Sequence, residues 1–317
     1  MKLTRYDSSM KEQWDRFVQS SKNGTFLFCR DYMDYHSDRF TDASYIFTDN
    51  NGNPTALFPA SLHGNEVRSH GGLTYGGLVM SERTSAAGPD SPLTMLPMLI
   101  TELRQHGIDR LTYKPVPHIY HRQPAEEDLY ALFRLNARLS VRNIASAIYL
   151  PSPVRSSRLG KRAAKRQRTF GIEITPTDSA DSFWQIIVDD RRTRHNTTPV
   201  HSLQEMQLLH DRFPHNIRFF IATRDSEILA GAVIFIANRV LHLQYAAATE
   251  KGKELYAVDI IYHHILSGLF PQAEYFDFGT SNENAGLYLN EGMIHHKEEF
   301  GARSIAYDSY EINLSAT

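Results

Sequence analysis

The stretch Tyr275-Phe276-Asp277-Phe278-Gly279-Thr280-Ser281 decides the fold of this chain. Its aromatic first half is typical of a buried strand, and the strand ends abruptly at Asp277 and at turn-forming residues. In open α/β sheets, reacting centres often lie in polar loops that directly follow the end of a strand. A Gly-punctuated segment rich in Asn, Glu, His and Lys follows, and a closing strand is expected at residues 304–312.

The elements upstream of this strand predict a meander followed by a helix. Residues 217–223, 229–237 and 240–247 read as three strands joined by short turns, and residues 257–269 have helical periodicity. Ser202 and Glu205 form a capping-box pattern that begins another helix.

The first half of the chain repeats this order. Strands are predicted around the Asn51-Gly52 turn and at residues 68–75, an amphipathic helix at residues 93–106, and a strand at residues 108–113. Shorter helices are predicted at residues 31–40 and at residues 124–136, where Phe133 is expected to face inward. The repeated order predicts two copies of one α/β unit.

The predicted fold class is therefore α/β (α+β), with two tandem units that each have a mixed, mostly antiparallel sheet flanked by helices. Pro151-Ser152-Pro153 is the most linker-like sequence. It predicts an N-terminal domain at residues 1–150 and a C-terminal, catalytic domain at residues 151–317.

Composition narrows the class of protein. The 317 residues are 41% hydrophobic with a formal net charge of -2, which favours packed domains and argues against a dedicated duplex-binding protein. No apolar run is long enough for a membrane span, and no secretory signal opens the sequence. The single cysteine, Cys29, fits a reducing compartment, so a cytoplasmic location is expected. Its thiol is either a nucleophile or a buried apolar group.

One local run is strongly basic. Three- and four-residue spacing places its side chains on one helical face, which would attract nucleotide phosphates, tRNA or anionic lipid unless it is simply solvated. The run comprises Arg155, Arg158, Lys161, Arg162, Lys165, Arg166 and Arg168. The 15 histidines lack the spacing of a metal site, so no metal is predicted.

The order of meander, helix and strand in each half resembles the GNAT superfamily of acyl-CoA-dependent N-acyltransferases. The resemblance implies two strands that split apart to hold the pantetheine arm of acyl-CoA as a co-substrate. It also implies a helix N-terminus that faces the pyrophosphate. The corresponding loop assigns cofactor binding to Thr249, Lys251, Gly252 and Lys253, although it departs from the usual Gln/Arg-x-x-Gly-x-Gly/Ala signature.

Several motifs of the second half are similar to those of tandem-GNAT proteins. These are the Fem-type (FemAB-like) peptidyltransferases of peptidoglycan cross-bridges and the GNAT-like acyltransferases of bacterial surface-polysaccharide clusters. The motifs are Phe276-Asp277-Phe278-Gly279, Leu289-Asn290-Glu291-Gly292 and Lys297-Glu298-Glu299-Phe300-Gly301, with Gln244-Tyr245 and the basic helix upstream. The polysaccharide type is more similar, since Fem enzymes carry a helical-hairpin insertion that this chain lacks.

Two residues are candidates for catalysis. Asp277 at the end of an apolar strand is either a general base or a cap of the turn that follows it. Lys297 is either a cation that stabilises an oxyanion or phosphate, as the Fem resemblance implies, or a solvated side chain. Residues predicted to bind substrate are His70, Tyr75, Arg194, His195, His201, Gln244, Tyr245, Ser281 and Asn290. For each of them a structural role remains the alternative.

The leading hypothesis is an N-acyltransferase, a GNAT-type enzyme that moves an acyl group from acetyl-CoA or another acyl-CoA to an amino sugar or glycan precursor. Such an enzyme would serve polysaccharide biosynthesis of the cell envelope. The alternative is Fem-like transfer from aminoacyl-tRNA to a peptidoglycan precursor. A third hypothesis is a fold that only binds a glycan or a protein, without turnover.

Overall fold

The computed structural model describes residues 1–152 and 158–315, and for Arg158, Arg194 and His195 it describes the backbone only. These residues form two compact units. The first comprises Met1–Asn143, Asn284–Leu287 and Ala306–Thr317, and the second comprises Ile144–Glu283 and Tyr288–Ile305. The predicted domain boundary between residues 150 and 151 stays a prediction.

In the first unit, the described residues form eight strands and four helices, and most of the last described strand also belongs to it. The strands are β1 Lys2–Arg5, β2 Thr41–Asp42, β3 Tyr45–Thr48, β4 Pro54–Phe58, β5 Ser61–His63, β6 Glu66–Arg68, β7 Val79–Met80 and β8 Arg110–Tyr113. The helices are α1 Lys11–Ser20, α2 Arg30–Met33, α3 Pro92–Gln105 and α4 Glu127–Arg134. Single 3-10 turns lie at Ser8–Met10, Phe26–Phe28, Asp34–His36 and His118–Tyr120.

One antiparallel sheet of this unit has the strand order β1-β3-β4-β7, and β8, β6, β5 and β2 lie side by side in a second set. β6 and β8 run parallel, with Arg68 opposite Thr112 as their last pair. The helix α3 connects them in sequence and buries Leu96, Leu99 and Leu103 in the core of the unit. The repeat predicted this order of strand, helix and strand. The strand expected at residues 68–75 is wrong, since β6 ends at Arg68 and the Gly-rich residues up to β7 form turns and bends instead.

In the second unit, the described residues form six helices and the strands of the predicted meander. Its helices are α5 Arg158–Phe170, α6 Asp181–His195, α7 Leu203–Arg212, α8 Glu250–Glu254, α9 Ala257–Leu266 and α10 Glu291–Glu299. Its strands are part of β9 Arg138–Tyr149, then β10 Glu173–Thr177, β11 Ile217–Arg224, β12 Glu227–Ala237, β13 Val240–Ala248, β14 Tyr275–Thr280, β15 Asn282–Glu283 and β16 Tyr288–Leu289. The strand β17 Arg303–Asn313 closes the chain.

The main sheet of the second unit has the order β10-β11-β12-β13-β14-β9. The helices α5 and α9 cover one face, where Ile260, Phe276 and Phe300 share a buried core. The helix α6 lies against β12 and β13 through Phe183, which leaves no room for a side chain at Gly231. Helices therefore cover both faces of the sheet.

The fold class predicted from the sequence is confirmed, and several local predictions are corrected. Phe133 is 73% exposed rather than buried, because α4 is short and turns its other face to the core. The helix expected at residues 31–40 is limited to Arg30–Met33 and a 3-10 turn. Burial raises the pKa of the Cys29 thiol to about 12, which argues against a nucleophilic role.

Candidate functional site

Two neighbouring strands of the second unit part at a defined point. β13 and β14 run parallel, and their pairing ends at His242 and Asp277. Beyond that pair, β13 continues to Ala248 and β14 continues to Thr280. Because β13 no longer pairs with β14 there, the edge of β13 suits a ligand that hydrogen-bonds to it as an added strand would.

A β-bulge lies just beyond the point of parting. Ile234 of β12 pairs with Leu243 and Val233 pairs with Tyr245, so Gln244 is the extra residue of β13. A bulge increases the local twist and redirects side chains, and it occurs often beside active sites. Both Gln244 and Tyr245 line the cavity between the parted strands.

The parted strands border a cavity of about 570 Å³, which lies within the range of roughly 300–1,000 Å³ that is usual for ligand sites. A second cavity of about 320 Å³ lies between the end of β13 and the start of α9. The two cavities share Ala246 and Tyr262, so they are neighbours along β13. The first is also lined by Arg191, Thr197, Leu243, Phe278, Thr280, Ser281, Asn282, Glu283, Met293 and Lys297.

Asp277 is fully buried, and both of its carboxylate oxygens have partners. Oδ2 lies 2.9 Å from Nδ1 of His242, and Oδ1 accepts a hydrogen bond of 2.8 Å from the backbone N–H of Gly279. The predicted cap of the following turn is therefore present. The carboxylate also orients an imidazole at the vertex of the parted strands, a partner that the sequence analysis missed. Its role as a general base stays a prediction.

Lys297 is buried, so the alternative that it is solvated is wrong. Its Nζ donates to the carbonyl oxygens of Gly279 and Thr280 and to Oγ of Ser281, and each of these hydrogen bonds has a length of 2.9 Å. Three acceptors match the three N–H groups of an ammonium, and together they tie α10 to the end of β14. Burial lowers the pKa of Lys297 to about 8, and the nearby carboxylate of Asp277 acts in the opposite direction.

His201 and Tyr245 form a second buried polar pair. Nδ1 of His201 lies 2.8 Å from the Tyr245 hydroxyl, and the ring of Trp184 packs edge-on against Tyr245. Burial raises the pKa of Tyr245, so its hydroxyl stays protonated at neutral pH. The guanidinium of Arg191 lies 5.9 Å from the centroid of the same ring. His201 is therefore buried, although it lies in the segment between α6 and α7.

Ser281 and Asn290 hold the polypeptide beyond β14. The backbone N–H of Ser281 donates to the carbonyl of Ile144, and its carbonyl accepts from the N–H of Asn290 over 2.9 Å. The side chain of Asn290 caps α10 by accepting from Met293. Ser281 lines the first cavity, whereas Asn290 does not line it. Their predicted role in substrate binding stays a prediction.

The loop predicted to bind the cofactor forms the short helix α8. Thr249 is its N-cap and accepts a hydrogen bond of 3.0 Å from Gly252. Lys251 forms an ion pair with Glu227, and Lys253 lies 2.6 Å from Glu250. Gly252 and Lys253 line the smaller cavity, and Thr249 and Lys251 do not.

Two of the remaining predicted residues belong to the first unit. His70 and Tyr75 are buried in the first unit, where the Tyr75 hydroxyl donates to Thr25 over 3.1 Å. Arg194 and His195 belong to the last turn of α6 rather than to a loop, and their side chains lie outside the described residues. Of the predicted basic run, Arg155 lies outside the described residues, and α5 carries the rest.

Sequence reasoning missed Tyr262, which lines the site, and His242, which lies where the strands part but lines neither cavity. His242 faces Asp277 only because of the strand register, which the sequence does not give. Tyr262 of α9 is 7% exposed and lines both cavities, and burial raises the pKa of its hydroxyl. The sequence offered one signal for Tyr262, which is its position in the first two turns of the predicted helix at residues 257–269. The structure groups no three potential metal ligands within residues 1–152 and 158–315.

Comparisons with known proteins agree with this architecture. Residues 154–297 match the model of the acetyltransferase (GNAT) domain family. No curated protein matches the chain. Over the described part of the chain, no helix has the length and apolar character needed to cross a membrane.

Solved structures share the fold at low sequence identity. FemX has a TM-score of 0.70 and 9% identity, with 99% of this chain and 97% of that chain covered. L-PGS from Bacillus licheniformis has a TM-score of 0.63 and 12% identity, with 99% and 94% covered. A tandem GNAT protein from the clavulanic acid biosynthesis pathway has a TM-score of 0.53 and 10% identity, with 100% and 99% covered. The fold is therefore that of tandem GNAT proteins.

Proposed function

Since residues 154–297 form an acyltransferase domain of the GNAT type, we propose that the protein transfers an acyl group from acyl-CoA to the amino group of an amino sugar or glycan precursor. The observation that carries this proposal is the parting of β13 and β14 beyond His242 and Asp277, beside a cavity of about 570 Å³. Acyl transfer needs a donor and an acceptor held together so that attack is nearly intramolecular.

The acyl donor is proposed to lie along the free edge of β13. The amide groups of a pantetheine arm hydrogen-bond as a peptide strand does, so they suit backbone groups between Gln244 and Ala248. The thioester would then lie near the bulge, and the phosphates would extend toward the smaller cavity, which Lys253 lines. Lys253 supplies a point charge for phosphate there.

His242 is proposed as the proton acceptor. As the amine nitrogen forms its bond to the acyl carbon, the amine gives up a proton and the carbon–sulfur bond breaks. The imidazole is held at Nδ1 by Asp277 over 2.9 Å, which fixes its orientation for taking that proton, directly or through one water. Asp277 is proposed as a positioning residue for His242 rather than as a group that contacts substrate.

Hydrogen-bond donors along the cavity are proposed to stabilise the charge that develops. Backbone N–H groups at the free edge of β13 suit the carbonyl oxygen as it becomes an oxyanion. The protonated hydroxyl of Tyr262, where α9 meets both cavities, suits the leaving thiolate. Lys297 holds Gly279 to Ser281 in place, so its contribution is the shape of the cleft.

The lining of the larger cavity favours a polar acceptor. Gln244, Thr280 and Ser281 offer amide and hydroxyl groups, and Arg191 offers a guanidinium. Such groups recognise sugar hydroxyls and, in the case of arginine, a phosphate of a nucleotide-linked sugar. This supports an amino-sugar acceptor over an apolar amine.

The test is incubation with acetyl-CoA and a panel of amino-sugar nucleotides, with release of free CoA measured. We expect release that depends on one acceptor and that falls in a His242→Gln variant. A Lys165→Gln variant, changed at an exposed position of α5, is the matched control and is expected to keep full activity. No release with any acceptor, together with no thermal shift on adding CoA, would overturn the proposal.

A second candidate is transfer of an aminoacyl group from tRNA to a cell-wall precursor. Asp190 and Asp259 line the smaller cavity, where a CoA pyrophosphate would meet their carboxylates at a cost. Exposed Lys161, Arg162 and Lys165 of α5 provide a basic surface for tRNA. Aminoacyl-tRNA that is deacylated only in the presence of the protein and an acceptor, with no response to acetyl-CoA, would favour this candidate.

A further inference from the structure

A third cavity of the second unit lies beneath the basic helix α5. Its volume is about 650 Å³, and β9, α5, α9 and residues 267–273 contribute to its lining. It shares no lining residue with the two cavities at the parted strands. It is therefore a separate feature, and neither the proposed reaction nor the family comparison assigns it a role.

The inner wall of this cavity is apolar. Leu241, Ile265 and Phe300 line it and are themselves buried, with exposed fractions of 1%, 2% and 6%. Phe270 and Leu266 line it nearer the surface and are partly exposed. Proteins seldom leave a space of this size bordered by aliphatic and aromatic side chains unless a ligand fills it.

The charge at the cavity is that of Lys161 of α5, and no Asp or Glu lines the cavity among the described residues. His263 of α9 also lines it, but burial lowers the pKa of its imidazole, so this side chain is neutral near pH 7. Lys161 is exposed, so its ammonium lies at the mouth rather than in the apolar interior. Arg162 and Lys165 are exposed on the same helix and add to the positive potential around the mouth.

We infer that this cavity binds an unbranched acyl chain with an anionic head group, as a long-chain carboxylate has. The chain would lie against Leu241, Ile265 and Phe300, and the carboxylate would lie at the mouth beside Lys161. An apolar interior selects the chain and a cationic mouth selects the head group, and neither alone explains both parts of the site. The inference does not rest on the proposed acyl transfer.

Isothermal titration of the full chain with decanoate, dodecanoate and tetradecanoate, each below its micelle concentration, tests the inference. Burial of each methylene is expected to strengthen binding by about three- to fourfold until the cavity is filled. Dodecanol, which lacks the charge, is expected to bind more weakly than dodecanoate by roughly fivefold. Absence of dodecanoate binding at millimolar concentration would overturn the inference.

Two variants of one helix locate the head group. Lys161→Glu is expected to weaken dodecanoate binding by roughly fivefold or more, because it reverses the charge at the mouth. Lys165→Glu changes an exposed lysine that does not line the cavity, and it is expected to have a much smaller effect. Equal weakening by both variants would mean that general attraction to α5 explains binding, and the site would be refuted.

A filled cavity is the remaining control. Ala164→Trp places a large side chain in the lining, and it is expected to abolish binding of the chain while acyl transfer at the parted strands is retained. Unchanged binding in a folded Ala164→Trp variant would refute the site, and if that variant does not fold, the comparison of the two lysine variants decides.

Vesicles of anionic phospholipid distinguish binding to a membrane lipid from binding to free carboxylate. Binding to vesicles alone, without binding of free dodecanoate, would also refute the site.

Discussion

Replacing Lys297 by Met tests the buried ammonium on which the end of β14 depends. The methionine keeps most of the side-chain volume but removes the charge and the three hydrogen bonds to Gly279, Thr280 and Ser281. Loss of those bonds destabilises the fold, whereas loss of a buried charge stabilises it. Because these two effects oppose each other, the change in the free energy of unfolding at a single pH does not test the buried ammonium. Its dependence on pH does.

The sign of that dependence follows from the lowered pKa. Lys297 titrates near 8 in the folded protein, against 10.5 for an ordinary lysine. At a pH above the folded-state pKa of Lys297, the unfolded chain binds more protons than the native state. The free energy of unfolding therefore increases as the pH rises from about 8 toward 10.5. For this one group the gain between about pH 7 and pH 9.5 is about 2 kcal/mol, since each pKa unit corresponds to roughly 1.4 kcal/mol. The variant lacks this gain.

Urea unfolding of the wild type and of Lys297→Met at both pH values measures the difference. The stability of the wild type relative to the variant is expected to increase by about 2 kcal/mol from about pH 7 to pH 9.5. Subtracting the variant removes the contributions of all other titrating groups. Lys165→Met, which removes an exposed ammonium, is expected to show no such increase. An identical pH dependence for the wild type and Lys297→Met would refute the burial of a titrating ammonium.

Two other substitutions test the site and its frame. Asp277→Asn removes the carboxylate that orients His242. The rate of acyl transfer, measured by CoA release, is therefore expected to fall by about a hundredfold or more with little change in KM. An unchanged rate would exclude the Asp277–His242 pair from the reaction. Gly252→Ala would place a Cβ 2.0 Å from the carbonyl oxygen of Leu229, so a loss of about 1–3 kcal/mol is expected in urea unfolding. Gly292→Ala, whose Cβ would meet no atom closer than 3.8 Å, is the control, and equal losses in the two variants would contradict the predicted clash.

Regular elements of this fold were predictable because local rules agree with the tertiary structure. The capping box of Ser202 and Glu205 is present in full at the start of α7. The predicted meander appears as β11, β12 and β13, since alternating apolar residues flank short turns there. The predicted helix at residues 93–106 corresponds to α3, whose apolar face is buried. Element ends were less predictable, since the strand expected at residues 68–75 ends at Arg68 and the helix expected at residues 31–40 ends at Met33.

The candidate site was only partly predictable. Asp277, Lys297, Gln244 and Tyr245 were singled out from their positions beside turns, strands and a motif, and the structure places all four at or near the parted strands. What each of them touches was not predictable. Lys297 is on a helix with two neighbouring glutamates, a pattern that equally fits an exposed side chain, yet it is buried.

Three features follow from the amino-acid sequence alone: the order of elements, their repetition, and the places where polar residues interrupt apolar strands. Each depends on residues close together in the chain. Three others are visible only once the chain is folded: Asp277 faces His242, Lys297 binds the end of β14, and a separate apolar cavity lies beneath α5. Those contacts join residues far apart in the chain. Strand register and helix packing set them, and a shift of one residue in either would remove them.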